Sequence, residues 1–75
     1  MLFSKIINKK IITKSGKFVG YVKDVIINFK ERKVEYISLV DINELIKEKN
    51  MNSLKRKVIR FNKILDVNEV VIVSD

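Results

Sequence analysis

Seventy-five residues make one domain, 1–75, and a chain this short buries only about 60% of the surface it exposes when unfolded. It contains no cysteine and no histidine, which excludes disulfide staples, thiol redox chemistry, zinc-finger ligation and histidine general-base catalysis. The net charge is +7, and all of it lies in residues 1–33, where nine cations meet two anions; residues 34–75 carry seven of each.

Twelve isoleucines and ten valines against no alanine favour β-branched packing in sheets over helix packing. No run approaches the about 20 apolar residues of a membrane-spanning helix. The opening Met1-Leu2-Phe3-Ser4-Lys5-Ile6-Ile7 is apolar but broken at Lys5, with neither a cationic leader nor a small-residue cleavage site. A signal peptide is not expected, and the chain reads as cytoplasmic.

In chain order, a first strand is predicted over residues 9–13. Lys14-Ser15-Gly16-Lys17 then breaks the pattern, with Gly16 supplying the positive φ of a tight hairpin turn. A long second strand is predicted over 18–28. Val19, Tyr21, Val25, Ile27 and the following Phe29 share one parity, interrupted by Lys23, while Phe18, Gly20, Val22 and Ile26 share the other, so both faces are substantially apolar. A strand that bends at a glycine or bulge and serves two parts of a barrel accounts for this. A dimer interface on its outer face accounts for it equally well. After a break at 28–33, a third strand over 34–40 repeats the doubling, with Ile37 and Leu39 opposite Val34, Tyr36 and Val40.

From 41 to 51 the alternation stops. Asp41 and Glu44 have the spacing of a capping box, and Ile42, Leu45 and Ile46 line one face of a short helix that Asn50-Met51-Asn52-Ser53 ends. A fourth strand is predicted over 57–61, then a helical turn over 62–65 that sets Ile64 over an open end of the barrel. The break at 66–69 places Asn68 in a left-handed conformation, and a fifth strand covers 70–73.

Three stretches in this order resemble a known family: Ile7-Asn8-Lys9-Lys10-Ile11-Ile12, then Ser15-Gly16 leading to Gly20-Tyr21-Val22-Lys23-Asp24-Val25, then Val34-Glu35-Tyr36-Ile37. They are similar to the opening of PRC-barrel domains: a strand, a turn ending in Asp-Gly or Ser-Gly, and a second strand with a Gly-x-Val-x-Asp core. Residues 58–73 resemble the family's close. Asn8 and Asn68 depart from the usual Gly, and Phe61 stands near a common Pro. The resemblance implies a mostly β fold, a small antiparallel PRC-type β-barrel with one short helix inserted after strand three. It implies binding rather than catalysis, as in the reaction-centre H subunit, the C-terminal domain of the ribosome maturation factor RimM, and archaeal adaptors of cell division. A homodimer or a partner protein of the division machinery follows as the expectation; RNA or the ribosome is the alternative.

No catalytic, metal or cofactor set is expected, because the nine carboxylates show no spacing suited to acid–base work or a cation cage. Phe18, Tyr21 and Tyr36 are candidate interface residues, against the plainer reading of core aromatics. Lys9, Lys10, Lys14 and Lys17 flank one turn and offer a surface to an acidic protein or to phosphate, against the plainer reading of a solvated face. Gly16, Gly20, Asp24 and Asn68 are read as structural: Gly20 for a close backbone approach, Asp24 as an acceptor for backbone N–H groups.

Overall fold

A computed structural model describes residues 3–75 of the chain, so Met1 and Leu2 of the apolar opening lie outside the described residues. Strands β1 (Lys10–Thr13) and β2 (Phe18–Tyr21) form the first hairpin. Gly16 takes a φ of 91° at its turn, where its N–H donates to the Thr13 carbonyl at 2.9 Å. Ile11 faces Gly20 and Ile12 faces Phe18, so Val19 is an extra residue and the hairpin is bulged.

The long second strand is divided at Val22-Lys23. Val22 is fully buried; its N–H donates to the Lys9 carbonyl at 2.9 Å and its carbonyl accepts from the Asn8 N–H at 2.7 Å. The next N–H, that of Lys23, donates to the Ser38 carbonyl at 2.8 Å. Within one residue the chain leaves the first sheet and enters the second as β3 (Asp24–Asn28).

β3 pairs with β4 (Lys33–Ser38) across a turn in which Arg32 adopts a φ of 55°. Helices α1 (Ile42–Lys47) and α2 (Met51–Lys57) follow, and α2 runs directly into β5 (Val58–Arg60), the other neighbour of β4. A 3₁₀ turn at Phe61–Lys63 leads to β6 (Ile64–Val67) and β7 (Val71–Val73). The sheets have orders β2-β1-β7-β6 and β3-β4-β5. The buried cluster draws Ile11, Val71 and Val73 from the first sheet, Ile37 from the second, and Val22 from the corner. Full burial of side chains of this size stabilises by roughly 1.5–3 kcal/mol each. No helix among the described residues is long and apolar enough to cross a membrane.

The architecture is mostly β, with several departures from the sequence reading. β7 runs parallel to β1, so the pairing is not purely antiparallel. Two helices replace one: the backbone turns extended at Glu48, the C-cap of α1, and Asn50 then caps α2, its side chain accepting from the N–H groups of Asn52 and Ser53. Asp41 is the N-cap of α1 without a capping box; its main-chain carbonyl, not its carboxylate, accepts from Glu44. β6 occupies the predicted turn and break at 64–67. Its bulge puts Ile64 and Val67 inward with Leu65 and Asp66 exposed between them, which erases the period-two signature. Ile64 pairs with Val73 in that ladder. Asn68 is not among the positive-φ residues, which are Asn8 (69°), Gly16 (91°) and Arg32 (55°) among those described. Its N–H donates to the Val70 carbonyl instead.

The two glycines differ in what they supply. A Cβ at Gly16 would meet nothing within 4 Å, so only its φ requires glycine; a Cβ at Gly20 would sit 3.7 Å from Leu39 Cδ2, an ordinary contact rather than a forced close approach. Gly16→Ala is expected to cost about 1–2 kcal/mol, and Gly20→Ala to be neutral or stabilising by up to about 1 kcal/mol. Denaturant midpoints check this; equal losses at both sites would contradict the assignment.

Candidate interaction surfaces

On the outer face of the second sheet, the register aligns Ile26, Tyr36 and Arg60 in one cross-strand row. That face is apolar because β4 alternates: Ile37 points to the core and Tyr36 away from it. The two helices stand over this face and bound a groove of about 850 Å³. Leu45 is buried in its lining, whereas Ile46 and Met51 stand 75% and 64% exposed.

Polar contacts hold the helix pair together. Glu48, at the end of α1, meets Lys57, at the end of α2, with 3.0 Å between Oε2 and Nζ, and only 20–23% of each side chain is exposed. Glu48 Oε1 accepts from the Asn50 N–H at 3.2 Å, and Asn50 Oδ1 accepts from Asn52 and Ser53. The Lys57 ammonium, followed by the Asn50 N–H, holds the Glu48 carboxyl below its ordinary value of 4.5.

A second surface lies on β2, an edge strand of the first sheet. Phe18 and Tyr21 are both exposed and meet edge to face, with ring centroids 5.5 Å apart. Lys10 Nζ stands 5.6 Å from the Phe18 centroid and Lys23 Nζ 5.9 Å from that of Tyr21. Such cation–aromatic pairs are worth about 0.5–1 kcal/mol when exposed. Lys14 and Lys17 are exposed at the adjoining turn. Lys9 is engaged, its Nζ donating to the Asn68 carbonyl. The same turn carries an acid: the Ser15 hydroxyl, then its N–H, the Thr13 hydroxyl and the Lys17 charge hold the Asp75 carboxyl below its ordinary value.

The candidate aromatics therefore divide, with Phe18 and Tyr21 together on the first sheet and Tyr36 in the groove on the second. Asp24 opens β3 and its Oδ1 accepts from the Val25 N–H at 2.8 Å. Among the described residues, no group of three His, Cys, Asp or Glu side chains is placed to hold a metal ion. Sequence reasoning missed the groove. The available signal was Met51, Leu54 and Val58 at i, i+3 and i+7 behind a capping Asn50.

The family model of the PRC-barrel domain matches residues 1–75, the whole chain. The chain belongs to the PRC-barrel family. No curated protein matches it. In this PRC-barrel chain, both surfaces present side chains suited to contact: apolar over the second sheet, aromatic and cationic along β2.

The Glu48 shift gives a pH dependence with a definite sign. A carboxyl whose folded pKa lies below its unfolded one stabilises above about pH 4.5, and that stabilisation is lost as pH falls through the folded value. Amide exchange in α2, corrected for intrinsic rates, is expected to gain protection between pH 3 and pH 6 in the wild type, and less so in Glu48→Gln. Identical profiles would remove Glu48 from the clamp.

Proposed function

We propose that this PRC-barrel chain is a non-enzymatic protein-binding module, an adaptor, whose two sheets wrap into one small barrel and whose outer groove takes an apolar segment of another protein. The supporting observation is the exposure of Ile46 and Met51 at the mouth of a groove floored by apolar side chains. Apolar groups left in water around a concavity are the usual mark of an interaction site.

A second reading, RNA binding, draws support from Phe18 and Tyr21 with Lys10 and Lys23 beside them, since single strands are held by stacking and cations together. The edge-to-face geometry, however, offers a base no flat two-ring platform. Two variants separate the readings: Ile46→Ser with Met51→Ser, and Lys10, Lys14, Lys17 and Lys23 all changed to Gln. Each should move stability by no more than about 0.5 kcal/mol per site. Protein retained from native lysate is expected to be lost with the first variant and to resist added salt. Retained RNA, lost with the second variant and weakening steeply with salt, would favour the alternative.

A further inference from the structure

The groove is chemically one-sided. Among the described residues, its charged lining is Lys55, Arg60 and Lys63, with no carboxylate. All three cations belong to the continuous stretch from α2 to the turn after β5, whereas α1 contributes only apolar side chains. Resting on the groove as a protein-binding site, we propose that its partner is an amphipathic helix with acidic residues along one flank. Apolar side chains at i, i+3, i+4 and i+7 lie in the groove, and the acidic flank faces the α2–β5 stretch.

The other occupants fit less well. A second copy docked groove to groove about a two-fold axis sets the same three cations against themselves, and like charges across an interface repel. An added strand needs a free edge, but of the two edge strands that line the groove β5 is only three residues long, and β3, five residues long, lies in a ladder that is bulged at Ile26/Ile27. Short and bulged edges are poor templates for pairing, so recognition runs through side chains. A bilayer meets protruding apolar groups, whereas Tyr36 and the buried Leu45 lie within a concavity. The net charge of +7 adds long-range attraction for an acidic partner.

The test is selection of random peptides from a display library on the intact chain. Counter-selection uses Ile46→Ser/Met51→Ser, which keeps the net charge of +7 and so discards peptides held by charge alone. The enriched peptides are expected to carry apolar residues at helical spacing, a net negative charge, and helical circular dichroism when bound. Lys55→Glu/Arg60→Glu/Lys63→Glu, checked for folding, should weaken them at least about tenfold and select cationic peptides instead. Enrichment at helical spacing without acidic bias would overturn the partner's chemistry and leave the protein-binding groove standing. Alternating, strand-like peptides would overturn the helix. No enrichment beyond the counter-selected variant would overturn the groove reading itself. Vesicles rich in anionic lipid that bind the wild type but not Ile46→Ser/Met51→Ser would assign the surface to a membrane and overturn the proposal.

Discussion

Val22 ties the two sheets of this domain together. Its N–H and carbonyl complete the ladder beside Asn8 and Lys9, and the following N–H begins the ladder beside Ser38. The buried backbone groups of Val22 must be paired, and a one-residue slip of the ladder would turn its side chain out of the core. The corner therefore fixes the position of β3 relative to β2. With β3 fixed, β4 and β5 follow through the antiparallel ladder, and Ile37 meets Ile11 and Val71 in one core.

The groove is a consequence of that arrangement. Once Ile37 faces inward, Tyr36 must face outward, and its row brings Ile26 and Arg60 to the same surface. The two helices cover this surface incompletely. At six and seven residues they are too short to be stable as isolated helices, and they depend on Leu45 packing, on Asn50 capping and on the Glu48–Lys57 pair. A domain of this size has little apolar surface to spare, so leaving Ile46 and Met51 in water has a cost that a bound partner would offset.

Much of the first hairpin was legible in the sequence. Gly16 marks its turn because no other residue there takes a φ of 91° cheaply, whereas the double apolar parity of 18–28 fits a strand serving two sheets and a dimer interface equally well. The location of the corner was not legible, because Val22 carries no glycine or proline signal and is set by tertiary pairing. β6 was hidden by its bulge at Leu65, which breaks alternation in a strand of four residues. The aromatic pair on β2 could be named from sequence, but its separation from Tyr36 required the sheet assignment. The groove was hidden because Asn50 reads as a terminator, while its second role as a cap depends on which N–H groups face its side chain.

Native-state hydrogen exchange reads whether the corner anchors the fold and the helix pair is a more weakly held layer carried upon it. The amides of Val22 and Lys23, paired across the two sheets, are predicted to exchange only through global unfolding. Those of Leu45 in α1 and Leu54 in α2 are predicted to exchange at least about tenfold faster through local opening, with denaturant dependence weaker than that of the corner. Equal protection and equal denaturant dependence at all four amides would contradict the account, since the helices would then belong to the same cooperative unit as the core.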